Sequence, residues 1–256
     1  MGSAIKGAAL AAAILAAGAS PQAVRAADRP LDRHAAYAAI AALPDLDGGV
    51  WQFAWQAPRT GPPDPKPQLT PEAAAKADAA KREGLQNRNA NCVPPGMPEI
   101  MGWPYPIEFL YSPGRVTMAI ESDSQVRRIY TDGRPHAADP DPAFNGDSIG
   151  RWDGDTLVID TVALNPMTEI APGVGHSDQA HIVERVRKTG PDTLDIVTTV
   201  EDPKVLTAPW TTTRHFVRHR DWTIQEYVCE QNNHDLVDEA GRPGFRIESD
   251  GPGSAH

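Results

Sequence analysis

The chain has 256 residues, of which 40% are hydrophobic and 23% are charged, and its formal net charge at pH 7 is -10. A chain this acidic, with no basic stripe to neutralise phosphates, is not expected to bind nucleic acid. The length suits one large domain or a domain with extensions, because an all-β domain of about 200 residues is ordinary.

The N-terminal segment 1–26 has the pattern of a bacterial export signal. Lys6 supplies a positive charge, residues 7–19 form an apolar run too short to span a bilayer, and residues 24 and 26 are small enough for a signal peptidase. We therefore expect cleavage near Ala26 and a mature protein that is periplasmic or secreted. No later apolar run approaches membrane-spanning length, so no membrane span is expected in the mature chain.

Cys92 and Cys229 are the two cysteines of the chain, and an oxidising compartment favours joining them. Their bond would close a loop of 229 - 92 = 137 residues. In the chain-entropy description such a loop stabilises the fold by up to about 4 to 5 kcal/mol. Free thiols or metal ligands are the alternatives, but the lack of a CxxC motif or of a histidine at ligand spacing disfavours a zinc site.

The elements in chain order predict an all-β domain with helices at its start. A short amphipathic helix is expected within 28–43, and an Ala-rich helix is expected from Thr70, its N-cap, to about Gly84. Strands are expected at 50–55, 106–111, 115–121, 125–131, in a hairpin over 147–160, and at 180–188, 193–201, 210–218 and 222–229. We predict nine or ten antiparallel strands in a barrel of calycin or lipocalin type, or in a strongly curved sandwich.

Changes in composition divide the chain into four parts. Residues 1–26 are the signal peptide, 27–49 a helical extension, 50–232 the β-barrel domain and 233–256 a flexible, polar C-terminal tail.

The hairpin 147–160 makes a specific prediction about two carboxylates. With Asp153-Gly154 as a two-residue turn, the register places Asp147 opposite Asp160 and turns Trp152 towards a core. Like charges directly opposite each other on a sheet are unfavourable. The pair therefore needs a cation, a shared proton or open solvent, and the last of these is the plain structural interpretation.

The segment 175–185 is the richest in titratable side chains. His176, Asp178 and His181 could move protons, because imidazole titrates near neutral pH and a carboxylate can orient it. The same residues could instead make structural hydrogen bonds or bind a metal. On a strand His181 and Glu184 point to opposite faces, which weakens a metal site in this motif. The sequence predicts no cofactor, while a divalent metal at His176 and His181 stays open.

Three residues around a turn, Asp132, Arg134 and His136, form a second cluster. The structural interpretation is an Asx-type turn with an arginine bridge, and the functional one has Arg134 or His136 binding an anionic or carbonyl oxygen.

Further substrate-binding candidates lie elsewhere in the chain. Arg151 and Asp160 belong to the second face of the hairpin, and Trp103 and Tyr105 lie in a proline-rigidified loop of the kind that lines a pocket mouth.

One buried arginine is also expected. Arg127 and Arg128 are adjacent on a strand and so point to opposite faces, which predicts that one is inward and paired, with Glu108 or Glu121 as its partner.

Seven stretches of the chain form recognisable motifs. They are CVPPGMP at 92–98, QVRRIYTDGRPH at 125–136, SIGRWDGDTLVIDT at 148–161, HS at 176–177 with HIVER at 181–185, EDPK at 201–204, PWT at 209–211 and EYVCE at 226–230. These motifs resemble those of a large family of exported proteobacterial and acidobacterial proteins, and the resemblance covers about residues 51–232. It implies no particular activity. Asp147 departs from the family pattern, in which His or Tyr is frequent, so the resemblance does not extend to a paired-carboxylate mechanism.

Taken together, the residues favour an exported acid-base enzyme that acts on a small, partly apolar or aromatic molecule in a barrel cavity. A lyase, isomerase or hydratase fits better than a serine hydrolase, because there is no GxSxG motif. A periplasmic binding protein of calycin type and a metal-dependent hydrolase are the alternatives. The expected partner is a small molecule, and the sequence indicates no oligomeric state.

Overall fold

The computed structural model describes residues 32–55, 63–83, 92–229, 235–237 and 243–245. The predicted signal peptide lies outside these residues, so its cleavage site stays a prediction. The helices and strands in chain order are α1 (Arg33–Ala41), β1 (Val50–Phe53), α2 (Pro71–Glu83), β2 (Ile107–Ser112), β3 (Arg115–Ile120), β4 (Gln125–Tyr130), β5 (Asp147–Asp153), β6 (Thr156–Val162), β7 (Glu169–Ala171), β8 (Val174–Gly175), β9 (His181–Gly190), β10 (Thr193–Glu201), β11 (Trp210–His219), β12 (Asp235–Val237) and β13 (Pro243–Phe245).

Nine strands form a closed barrel in the order β1-β11-β10-β9-β6-β5-β4-β3-β2, and β1 pairs with β2 to complete the circle. This confirms the predicted all-β barrel. The expectation of purely antiparallel pairing is wrong at one place, because β4 and β5 are parallel. Two adjacent parallel strands need a crossover connection, and segment 131–146, named the crossover here, provides it.

The barrel has two ends. At the turn end the chain reverses between β2 and β3, between β5 and β6 and between β9 and β10, and Leu46 closes this end with 1% of its surface exposed. The opposite loop end is closed by the segment before β2, where Met97, Ile100 and Met101 are buried. Between the ends lies one hydrophobic cluster whose large members include Trp51, Phe109, Met118, Ile129, Leu157, Ile159, Ile196 and Phe216.

The hairpin of β5 and β6 forms as predicted, but its register is shifted by two residues. Asp153 pairs with Thr156, so the loop residues are Gly154 and Asp155, and Asp160 lies opposite Ile149. The positive φ of 61° falls on Gly154 as the first loop residue, which is the requirement of a type II′ turn. A shift of two residues preserves the faces, so Asp147 and Asp160 still share the outer face, as diagonal neighbours.

Segment 222–229, predicted as the last strand, is not a strand. β11 already has β10 on one side and β1 on the other, so closure leaves no free edge beside it. The segment instead crosses the β3–β4 turn. The backbone N–H of Gln225 donates to Glu121 Oε2 at 2.9 Å, and Ser124 Oγ donates to the carbonyl oxygen of Tyr227 at 2.8 Å.

The predicted disulfide is confirmed. Cys92 and Cys229 are bonded, with their Cα atoms 5.6 Å apart, and the bond joins the segment before β2 to the segment after β11. Such a bond indicates a protein of a non-cytoplasmic, oxidising compartment. Neither helix in the described part of the chain has the length and hydrophobicity of a membrane span.

Candidate functional site

A histidine from the crossover joins two carboxylates on the outer wall of the barrel. His136 Nδ1 lies 3.0 Å from Asp147 Oδ2, and its Nε2 lies 2.9 Å from Asp160 Oδ1. Ionised carboxylates only accept hydrogen bonds, so both ring nitrogens can donate only if His136 is an imidazolium. Of the three ways to accommodate the two carboxylates that the sequence left open, the structure thus has the cation and not open solvent.

The charges of this group perturb each other. Burial lowers the pKa of His136, but its hydrogen bonds to Asp160 and Asp147 outweigh that effect and hold the pKa above the usual value. Burial raises the pKa of Asp160, yet the hydrogen bonds from His136 and His181 lower it below the usual value overall. The ionised carboxylate and the imidazolium therefore stabilise each other.

A second histidine shares the same carboxylate oxygen. His181 Nε2 lies 2.9 Å from Asp160 Oδ1, so this oxygen contacts two imidazole rings. His181 and Asp160 are diagonal neighbours on β9 and β6, and Glu201 lies directly across from His181 on β10. The side chain of His181 is 33% exposed, so one edge of its ring is open to solvent.

The tautomer of His181 follows from these contacts. Asp160 accepts from Nε2, so the neutral ring carries its hydrogen there and keeps a lone pair on Nδ1. Nδ1 lies 3.7 Å from Glu201 Oε2, beyond hydrogen-bond distance. A ring that is oriented by a carboxylate, and whose other nitrogen has no hydrogen bond from the described residues, has the arrangement of a general base. We call His136, Asp147, Asp160, His181 and Glu201 the wall cluster.

His176 and Asp178, predicted to act with His181, belong to other hydrogen-bond networks. The ring nitrogens of His176 lie 2.8 Å and 2.9 Å from the carbonyl oxygens of Ser177 and Asn165, so both face backbone acceptors. Asp178 accepts a 2.6 Å hydrogen bond from Lys204, and its side chain is 79% exposed. The structure therefore brings together His136, Asp160 and His181 from the predicted set.

The predicted turn residues Asp132 and Arg134 bind each other near the turn end. Arg134 Nε donates to Asp132 Oδ1 at 2.9 Å, its Nη2 donates to Oδ2 at 2.6 Å, and its guanidinium lies 4.0 Å from the ring centre of Tyr130. This matches the structural interpretation of the turn. Arg151, also a binding candidate, is 67% exposed and lies 3.9 Å from Asp153.

The predicted aromatic pair lies at the loop end. Trp103 lines a cavity of about 220 Å³ together with Trp210, Thr198, Thr212 and Arg214. Tyr105 packs edge-on against Tyr227, with ring centres 5.4 Å apart.

The inward arginine is Arg127, but both predicted partners are wrong. Its Nη2 donates to Glu184 Oε2 at 2.5 Å inside the barrel, and it also donates to Thr161 and Ser148. Glu184 points inward from β9 and is fully buried, whereas Glu121 at the β3–β4 turn accepts from Gln225.

Two members of the wall cluster, Asp147 and Glu201, were not predicted as site residues. Glu201 was detectable, because pairing the two predicted strands 180–188 and 193–201 brings it towards His181. Among the described residues no group of three or more His, Cys, Asp or Glu side chains is arranged to hold a metal ion. A scan against protein-family models finds no matching family, and a search of curated proteins finds no match.

Proposed function

We propose that the protein is an acid-base enzyme in which His181 is the general base and Asp160 orients it. The observation that carries this proposal is the contact of Asp160 Oδ1 with Nε2 of both His181 and His136, at 2.9 Å each. His136 keeps Asp160 ionised, and ionised Asp160 keeps the free lone pair of His181 on Nδ1. Because these side chains lie on the outer wall, the substrate approaches from solvent and not through the barrel interior.

The reaction class that suits this base is proton abstraction from a carbon next to a carbonyl group. His181 Nδ1 takes the proton, and the C–H electron pair forms the enolate. The imidazolium then donates from Nε2 to Asp160, and Glu201, at 3.7 Å from Nδ1, lowers the energy of the new charge. Returning the proton to another carbon completes an isomerisation. Passing it to a departing β-hydroxyl group releases water and completes a dehydration.

The test uses hydrogen–deuterium exchange, because abstraction of the α-proton labels a ketone whatever product follows. Acetophenone and 4-phenyl-2-butanone are incubated in D₂O with the protein, and loss of the α-proton signal is followed by NMR. We expect the protein to accelerate exchange over buffer. His181→Ala should reduce this acceleration by about 10²-fold or more, and Asp160→Asn should reduce it by a similar factor.

His215→Ala is the matched control for this test. His215 also bonds a carboxylate, with its Nδ1 2.7 Å from Asp195 Oδ1, and lies on the outer wall outside the wall cluster. Exchange by this variant should equal that of the unchanged protein. The proposal is wrong if the protein accelerates exchange of neither ketone, or if the His181 variant exchanges them as fast as the unchanged protein.

The compartment we propose is the periplasm, with the mature chain beginning after Ala26. The disulfide and the signal pattern in residues 1–26 support this. Osmotic-shock fractionation of a bacterial host, followed by mass spectrometry of the released protein, should give an N-terminus at Ala27. Retention of the protein in the cytoplasmic fraction would contradict the assignment.

A second candidate, a binding protein without catalysis, is favoured by the cavity beside Trp103 and Trp210 at the loop end. It predicts that 4-phenyl-2-butanone quenches tryptophan fluorescence on binding but does not exchange its α-protons. Trp103→Ala should then abolish the quenching, because one aromatic wall of the cavity is removed.

A further inference from the structure

A groove separates α1 from the turn end of the barrel, and none of its lining residues belongs to the wall cluster. Its apolar half measures about 510 Å³ and is lined by Ile40 and Leu43 on one side and by Tyr111, Val116 and Trp152 on the other. An adjoining half of about 510 Å³ contains Tyr37 and Tyr130. These volumes are in the range of small-molecule sites.

Arg115 lines both halves of the groove. Its Nε is buried and has no hydrogen-bond partner in the described part of the chain. Asp132 is the acidic residue in the lining of both halves, and it is already bound through both oxygens to Arg134. The groove thus keeps one uncompensated positive charge on a protein whose net charge is -10.

The apolar half presents aromatic faces close to this charge. Trp152 packs edge-on against Tyr111, with ring centres 6.1 Å apart, and its buried Nε1 has no partner among the described residues. The hydroxyl of Tyr111 donates to the carbonyl oxygen of Pro44 at 2.6 Å, which fixes the ring. A ligand here meets a rigid aromatic wall and a guanidinium.

We infer that this groove binds a small carboxylic acid with an aromatic or aliphatic body. The guanidinium of Arg115 receives the carboxylate, for which its planar donors are matched, and the body lies between α1 and Trp152. The inference stands independently of the proposed acid-base activity.

The experiment compares 4-phenylbutyrate with its neutral amide, 4-phenylbutanamide, by calorimetry and tryptophan fluorescence on the mature protein. The acid should bind at least tenfold more tightly than the amide, and 0.5 M NaCl should reduce this difference, because the charge interaction is screened. Equal affinity for the two compounds, or binding of neither, overturns the inference.

Variants locate the bound acid. Arg115→Gln should weaken acid binding to the level of the amide and leave amide binding unchanged, and Trp152→Phe should weaken both. Arg151→Gln is the control, because Arg151 is exposed on the same hairpin outside the groove. Circular dichroism checks that each variant folds. If Arg115→Gln folds and binds the acid as tightly as the unchanged protein, or if Arg151→Gln weakens it equally, the groove is not the site.

Discussion

His136 Nε2 and Asp160 Oδ1 lie 2.9 Å apart and join the crossover to the outer wall of the barrel. The crossover is the connection that makes β4 and β5 parallel. The contact therefore holds this long connection against strand β6. The same carboxylate orients His181. Loss of the contact should therefore affect both the stability of the fold and the ionisation of the wall cluster.

Replacing His136 by Gln should destabilise the protein more at acidic than at alkaline pH. The pKa of His136 is raised in the folded protein, so its stabilisation is fully present below the unfolded pKa and is lost as pH rises through the folded pKa. We expect a loss of about 1 kcal/mol in the free energy of unfolding at pH 5.5, discounted for partial exposure, and a smaller loss at pH 9. Urea unfolding at both pH values measures the loss in the free energy of unfolding.

The control for this prediction is His34→Gln, because His34 is exposed on α1. It should change the free energy of unfolding by less than about 0.5 kcal/mol at either pH. An equal loss for His136→Gln at pH 5.5 and pH 9 would show that the imidazolium makes no difference to stability.

Asp160→Asn should have the opposite pH dependence. The pKa of Asp160 is lowered in the folded protein, so its stabilisation is present above the unfolded pKa and is lost as pH falls through the folded pKa. We expect a loss of about 1 kcal/mol in the free energy of unfolding at pH 7, discounted because the Asp160 side chain is 39% exposed. This loss should shrink as pH falls below about 4, the ordinary pKa of an aspartate side chain. Thermal unfolding between pH 7 and acidic pH measures the stability of the variant. Asp155→Asn is the control, because Asp155 forms an exposed ion pair and its replacement removes one negative charge outside the wall cluster. The prediction is wrong if the stability difference between the Asp160→Asn variant and the unchanged protein grows as the pH is lowered.

Local patterns in the sequence were sufficient for most of the fold. Alternation and turn residues predicted strands β2, β3 and β4 and the hairpins β5–β6 and β9–β10. The Thr70 cap of α2 is also present, with the Ala73 N–H donating to Thr70 Oγ1 at 3.3 Å. The false strand at 222–229 has the same local pattern. Only closure of the whole barrel, which leaves β11 with no free edge, excludes it.

Three of the five members of the wall cluster were predicted as site residues, but the contacts between them were not. The charge argument left a cation beside Asp147 and Asp160 as one of three possibilities. His136 lies 24 residues from Asp160 in sequence, and only the course of the crossover brings them together. Arg127 and Glu184 are 57 residues apart and meet because both point into a closed barrel. Contacts of this kind depend on topology, which alternation within one strand does not encode.

Removing the disulfide should lower stability without changing the barrel. Replacing both Cys92 and Cys229 by Ser frees a loop of 137 residues in the unfolded chain, which in the chain-entropy description costs up to about 5 kcal/mol. Urea unfolding of the double variant measures the loss, and circular dichroism should retain the β-sheet spectrum. An unchanged unfolding midpoint would show that the bond adds nothing to the fold.

The buried pair of Arg127 and Glu184 gives the sharpest stability prediction. Both side chains are at most 1% exposed, so removing one partner leaves the other as an uncompensated charge inside the barrel. Arg127→Met should therefore cost about 3 to 5 kcal/mol, and Glu184→Met a similar amount. The double variant should be more stable than either single one, because an apolar pair removes both desolvation costs. If the double variant loses the sum of the two single losses, as measured by urea unfolding, the two charges do not compensate each other.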